Sequence, residues 1–468
     1  MDGITRDAGS FRDPNGQVHL IDGRVFRTVQ NRAKEQIEFL HREALIAEAV
    51  AAGFLVDTWE LQSEAWPDAL VCAAHVFEHR KVPYVSYPYE WGFAALRSAA
   101  LHHLDFQLWL LERDAALSDA SAYNIQFVGG NPVFIDMLSI IPYEDGAYWA
   151  GYRQFCEQFL NPLLLRALKG VAHNAWYRGT QEGISSEDLA ALLSLRDRMS
   201  PNVMTHVVMH AKLQRQARQQ QGAAIERART GRVLSRRAYW GLLTGLRNWI
   251  ARLSPAGHSD STWGHYADDN SYSDSEGAQK AEVIATFCQK VKPGMLFDLG
   301  CNSGAYSQIA LKNGAKMAVG FDFDQTAVDK GFHRAKVEDL SFLPLWLDAA
   351  NTSPNQGWQQ QERLGFLERA QAGAVIALAF EHHLVIGKNL PLQEVIAWLT
   401  SLAPRGLIEF VPKDDPTVEI MLALREDIFE SYCEANFRDV LSRFARITRQ
   451  TKVSASGRII FEFERQET

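Results

Sequence analysis

Asp298-Leu-Gly-Cys-Asn-Ser-Gly304 stands between Met295-Leu-Phe297 and Ala305-Tyr-Ser-Gln-Ile-Ala-Leu311. An apolar run ends in an acid, turns through glycines and opens into a helical pattern. Gly300 and Gly304 carry no Cβ and can take positive φ, so a ligand can come close to the backbone there. Such a turn belongs to the first βα unit of a doubly wound sheet, where ligands lie across the carboxyl ends of the strands. The order is D-x-G-x-x-x-G, not the G-x-G-x-x-G that seats a pyrophosphate on a helix N-terminus. Asp298 instead offers a carboxylate to a cationic ligand.

Downstream, Ala315-Lys-Met-Ala-Val-Gly-Phe-Asp322 reads as a second strand ending in an acid. The separation of about 20 residues is that of a ribose-binding carboxylate. Phe342-Leu-Pro-Leu-Trp-Leu-Asp348 is a third such run, and Ala374–Phe380 and Leu407–Val411 are further short apolar segments between helical patterns. Strands alternating with helices predict a parallel sheet covered on both faces. Ala445–Arg449 and Arg458–Phe463, joined through Ser454-Ala-Ser-Gly457, read as a terminal antiparallel hairpin.

Over residues 260–468 this series resembles the class I S-adenosylmethionine-dependent methyltransferases, whose motif I is the opening stretch. The resemblance implies a Rossmann-like α/β domain. It places Gly300, Asn302 and Gly304 around the amino-acid end of the cofactor and Asp298 at its ammonium. Asp322 is then the reader of the ribose hydroxyls, and Asp348 accepts from the adenine amino group. Acids after strands also cap helices, and Asp324 competes with Asp322. Trp263, Tyr266, Tyr272 and Lys280 form an aromatic lead-in that the resemblance assigns to a cofactor lid. Rings there would cover the sulfonium, a cation–π attraction worth up to about 2 kcal/mol. The same residues also read as an anchored linker.

Methyl transfer is an in-line displacement, so the protein mainly positions the acceptor. A base is needed when the acceptor is a hydroxyl or a protonated amine. Phe380-Glu-His-His383 follows the fourth strand, and a histidine has the pKa for that work. Either His382 or His383 would serve, with Glu381 orienting it; a hydrogen-bonded loop is the other reading. Adjacent histidines seldom reach one ion together, so no metal site is expected. Glu409 and Lys413-Asp-Asp415 are further candidates for the acceptor pocket. The N/D-P-P-Y/F signature of nucleic-acid amine methylation is missing, which speaks against base N-methylation and leaves ribose or protein acceptors open; the expected acceptor is a small molecule, a glycan-type product or a protein.

The chain has 468 residues, 47% of them apolar and 22% charged, with a net charge of −8. This length predicts more than one domain, and the acidic balance speaks against a nucleic-acid partner. No apolar run approaches the roughly 20 residues of a membrane span, and the first residues lack the hydrophobic core of a secretory signal. Five scattered cysteines without a C-x-x-C pair exclude a disulfide framework or zinc knuckle. A cytoplasmic home is expected. The oligomeric state is not legible.

The N-terminal third has its own pattern. Val18–Arg27 alternates about Asp22-Gly23, a hairpin turn. A long helix is predicted from Ala33 to Ala52, strands near Ala69–Phe77 and Val82–Tyr87, and a second long helix over Phe93–Glu112. Then come Asp119, Asn124 and Asp136, in a segment that resembles the catalytic loop and metal-binding strand of protein-kinase-like and aminoglycoside-phosphotransferase-like enzymes. The resemblance implies a catalytic Asp119, with Asn124 and Asp136 holding Mg²⁺ against ATP. This chain departs from it in several places. It lacks a glycine-rich phosphate loop, Leu117 stands where His is usual, and Asp136 is followed by Met-Leu. Arg27 replaces the nucleotide-binding lysine, whose point charge a planar fork does not reproduce.

Lys212–Arg252 is rich in Arg and Gln, with Glu226 as its sole acid. It reads as a basic helical arm, suited either to an anionic partner or to packing through Tyr239, Trp240 and Trp249. The expected organisation is a kinase-like α+β domain over 1–210, the arm and linker over 211–260, and a methyltransferase domain over 261–468. As a whole the chain resembles bacterial methyltransferase-like proteins related to a rhizobial nodulation protein. A kinase-like phosphotransferase with an accessory second half is the alternative.

Overall fold

The computed structural model describes residues 4–219, 234–257, 274–423 and 425–465. It divides into two compact units: residues 1–257 with 355–363, and residues 258–354 with 364–468.

The first unit opens with a five-stranded antiparallel sheet of β1 (Ile4–Arg6), β2 (Gly16–Ile21), β3 (Arg24–Val29), β4 (Thr58–Glu60) and β5 (His75–His79), in the order β1-β2-β3-β5-β4. The β2–β3 hairpin turns on Asp22 and Gly23, both left-handed at φ 50° and 78°. This is the geometry that suits the twist of the flanking strands. The predicted long helix is two, Lys34–Arg42 and Leu45–Ala51, broken at Ala44 with φ 51°. No glycine marks the break, so apolar periodicity ran through it unseen. The run Val82–Tyr87 forms no strand. Pro83 and Pro88 remove ladder donors around it, and its Tyr84 and Tyr87 are buried in irregular backbone.

The buried helix Phe93–Leu111 leads into two small antiparallel pairs. One joins β6 (Ala115–Leu117) to β9 (Ile140–Pro142), and the other β7 (Ile125–Val128) to β8 (Asn131–Phe134). Of the basic arm, residues 220–233 lie outside the described residues, while Arg236–Ile250 is a helix of this unit. It buries Tyr239, Leu243, Leu246 and Ile250. Arg247 pairs with Asp105 at 2.7 Å, and Gln107 Nε2 donates to the Tyr239 hydroxyl at 2.9 Å. Trp240 stays 37% exposed.

The second unit is a seven-stranded sheet of β10 (Leu296–Leu299), β11 (Ala318–Asp322), β12 (Phe342–Trp346), β13 (Ala374–Ala377), β14 (Arg405–Phe410), β15 (Ala445–Lys452) and β16 (Ile459–Arg465). Its order is β12-β11-β10-β13-β14-β16-β15, with β10 to β14 parallel and the terminal hairpin antiparallel. From β10 the chain winds first to β11 and β12 on one side, then to β13 and β14 on the other. The crevice at that reversal is where a doubly wound sheet takes its ligand. Central strands are fully buried, as near-continuous apolar runs require.

The two motif glycines do different work. Gly300 is left-handed at φ 73°, and a Cβ there would lie 3.0 Å from the Phe380 ring. Gly304, at φ 79°, precedes the helix Ala305–Lys312, and a Cβ would fall 2.3 Å from the Phe342 ring. Gly304 therefore serves close helix-to-strand packing. Among the described residues no helix is long and apolar enough to cross a membrane.

Candidate functional site

A cavity of about 680 Å³ opens at the carboxyl ends of β10, β11, β12 and β13. Gly300, Asn302, Asp322, Asp324 and Asp348 line one side, and Ala379, Phe380, His383 and Lys388 another. Apolar and aromatic walls with a few convergent polar groups are the usual make-up of a small-molecule site.

Asp322 ends β11 and holds the motif turn. Its Oδ2 accepts the Asn302 N–H at 2.8 Å, and its Oδ1 accepts the Asp324 N–H at 2.9 Å. Burial raises its pKa, while the backbone N–H groups of Asp324, Asn302 and Phe323 favour the charged form. A carboxylate has about four acceptor sites, so capacity remains for a ligand beyond these donors. Asp324, the competing acid, caps the helix Gln325–Val337 by accepting from Thr326 N at 2.6 Å and Ala327 N at 3.1 Å. The Asp348 side chain accepts the Ala350 N–H at 3.1 Å, and its carbonyl oxygen accepts the Asn351 N–H at 2.9 Å. Asn302 sits in the left-handed region at φ 48°. Its side-chain Oδ1 is buried and meets no donor among the described residues, an unfilled need at the cavity wall.

Other expected residues stand elsewhere. Asp298 is 2% exposed, lies behind the cavity lining, and accepts the Ser307 hydroxyl at 2.6 Å. Burial pushes its carboxyl up to about 7, with the Asp322 charge adding to the rise. Gly304 is also outside the lining, its missing Cβ making room for Phe342. Lys280 does line the cavity, but its ammonium is engaged with Glu409 at 2.7 Å. Trp263, Tyr266 and Tyr272 lie outside the described residues.

The expected catalytic trio separates. His383 lines the cavity; burial, then the Arg458 charge, lowers its pKa to about 4. His382 packs against it with ring centroids 4.2 Å apart and the rings tilted by 36°, is 1% exposed, and does not line the cavity. Glu381 is fully buried, accepting the Tyr432 hydroxyl at 2.6 Å and the Val411 N–H at 3.4 Å. Burial raises it to about 8. Its carboxyl is turned to Tyr432 and not to a histidine. Glu409, Lys413 and Asp415 do not line the cavity either: Lys413 pairs with Asp427 at 2.7 Å, and Asp415 with Arg458 at 2.6 Å. Sequence reasoning passed over Tyr306, Phe380 and Lys388 in the lining, and only the position of Phe380 after a strand could have signalled one of them.

In the first unit, Asn124 Nδ2 donates to Asp119 at 3.2 Å. Ser139 Oγ lies 2.6 Å from Asp136 and 3.2 Å from Asp119. Arg27, 5% exposed, reaches both Asp136, at 2.9 Å, and Asp13. Burial, then the Asp136 charge, raises Asp119 to about 6. Among the described residues no cluster of three or more His, Cys, Asp or Glu could hold a metal ion.

No family model matches the chain. Among solved structures it is similar to the PH0226 protein from Pyrococcus horikoshii OT3 (17% identity, 44% of this chain and 97% of that one, TM-score 0.31). It is also similar to the N-methyltransferase NodS from Bradyrhizobium japonicum WM9 (10% identity, 42% and 98%, TM-score 0.31). Nodulation protein NoeA of Rhizobium meliloti (strain 1021) is 46% identical over 462 residues, covering 99% of this chain and 96% of the relative. With that identity sustained along both chains, this chain belongs to the NoeA family.

Proposed function

We propose that the chain is an S-adenosylmethionine-dependent methyltransferase acting on an oxygen or nitrogen of a small-molecule, glycan-type or protein acceptor. One observation carries the reading. The cavity at the β10–β13 reversal is lined by the Asp322 carboxylate, by the left-handed Gly300 turn, and by Asn302, whose Oδ1 meets no donor among the described residues. Those groups suit a ligand with ribose hydroxyls and an ammonium, and Asp348 with Ala349 suits an adenine edge. When bound, the cofactor supplies an electrophilic methyl group on a sulfonium. The protein's own part is to hold the acceptor in line and to exclude water.

His383 is the candidate base in this scheme. With its pKa lowered to about 4 the ring is neutral at physiological pH, the form that takes a proton from an acceptor hydroxyl or ammonium. Incubation with methyl-labelled S-adenosylmethionine and fractionated cell extract tests the reading. Label entering a small-molecule, glycan or protein fraction supports it and names the acceptor class; label in no fraction contradicts it.

For the N-terminal unit we propose a kinase-like scaffold without phosphoryl transfer. An antiparallel sheet precedes a mainly helical part, as a small lobe precedes a large one. The observation favouring a scaffold is Arg27, whose guanidinium already engages Asp136 and Asp13. Calorimetry with Mg²⁺–ATP on the full chain should give no saturable heat, and binding would contradict the proposal.

A further inference from the structure

Beneath the cavity lies a buried array of four charged side chains from four parts of the second unit. Lys280 comes from the helix Asp274–Val291 and Glu409 from β14; Asp415 precedes the helix Pro416–Leu422, and Arg458 precedes β16. Lys280 and Glu409 are fully buried, and Asp415 and Arg458 nearly so. Lys280 Nζ lies 2.7 and 2.9 Å from the two Glu409 oxygens, and Arg458 grips Asp415 through Nε at 2.6 Å and Nη2 at 2.7 Å. Two cations meet two anions, so the array is neutral. Burying it is tolerable only with such complete pairing.

One further bond gives the array a direction. Glu409 Oε2 accepts the backbone N–H of Ala379 at 2.8 Å. Ala379 follows β13, lines the cavity, and holds the left-handed φ of 48° that an alanine disfavours. The next residue, Phe380, packs over Gly300, its Cδ2 3.0 Å from where a Cβ of Gly300 would stand. His383 follows one turn later on the same wall. The unfavourable backbone at Ala379 persists only where its surroundings over-determine it, and the Glu409 carboxylate is bonded to that residue's N–H.

We propose that Glu409, its buried charge neutralised by Lys280, is a positioning residue, which holds the Ala379–Phe380 turn against Gly300 and so sets the shape of the cofactor cavity. This gives Lys280 a role through Glu409 in place of the direct cofactor contact expected from sequence. The proposal rests on the cofactor reading of the cavity.

Two double variants separate the acceptor role of Glu409 from its charge. Lys280→Met/Glu409→Gln removes the ion pair but keeps an oxygen for the Ala379 N–H. Lys280→Met/Glu409→Leu removes both. With S-adenosylhomocysteine as the calorimetric probe, the first should bind within about threefold of the unmodified protein, and the second at least tenfold more weakly. Denaturant midpoints are measured in parallel. Adding Ala379→Gly to the second variant relieves the left-handed strain and should recover most of the lost affinity. Should the leucine variant fail to fold, Lys280→Met/Glu409→Met, with and without Ala379→Gly, supplies the same comparison. Equal affinity in both double variants, or no recovery with glycine, overturns the proposal. No binding by the unmodified protein would instead overturn the cofactor reading.

Discussion

Replacing Glu381 by Gln should change how stability depends on pH. In the native chain Glu381 is fully buried with one oxygen accepting from Tyr432, while Oε2 has no partner among the described residues. Its carboxyl rises from an ordinary 4.5 to about 8, chiefly by burial. Between those two values the folded protein keeps a proton that the unfolded chain has released. Stability must therefore fall as pH rises through that window, by up to about 1.4 kcal/mol per pH unit. From pH 5.5 to 7.5 the loss is roughly 2–3 kcal/mol. Asp298, raised to about 7 by burial, adds a loss of the same sign between its ordinary 3.8 and that value. Glutamine mimics the protonated acid, and its Oε1 can still accept the Tyr432 hydroxyl. Urea unfolding at pH 5.5, 6.5 and 7.5 reads the difference. The variant should exceed the native chain slightly at pH 5.5 and by roughly 2–3 kcal/mol more at 7.5. Parallel pH dependences would refute the assignment of Glu381 as a buried neutral acid.

Gly304→Ala should destabilise the second unit by about 2 kcal/mol or more, since the added Cβ would lie 2.3 Å from the Phe342 ring; a lowered denaturant midpoint checks this. Asp322→Ala should weaken S-adenosylhomocysteine binding about 100-fold, because two charge-assisted bonds to the ribose are lost, and calorimetry reads it. His383→Ala should leave that affinity within a few fold and abolish transfer of labelled methyl to the acceptor. In the native chain, with His383 near 4, protonation of that ring should reduce the rate only as pH falls toward 4.

The second unit was largely legible in its sequence because its strands are short apolar runs ending in acids. Asp322 and Asp348 stand at or just beyond the ends of β11 and β12. What pattern could not supply was the direction of side chains. Glu381, His382 and His383 are consecutive, yet the helix Glu381–Lys388 turns only His383 of the three toward the cavity. Asp298 sits mid-strand in register with Gly320 and Ile376, and so faces the helix-side Ser307. The Lys280–Glu409 pair spans 129 residues, a distance at which no local signal links two positions. In the first unit the Asp22-Gly23 turn was visible because its chemistry is local, whereas the break at Ala44 carried no turn residue.

The central claim is that the crevice at the β10–β13 reversal receives S-adenosylmethionine. Equilibrium titration of the full chain with S-adenosylhomocysteine tests it most directly. One saturable site per chain, weakened by Asp322→Ala, is the predicted result; a flat isotherm for the unmodified protein would contradict it.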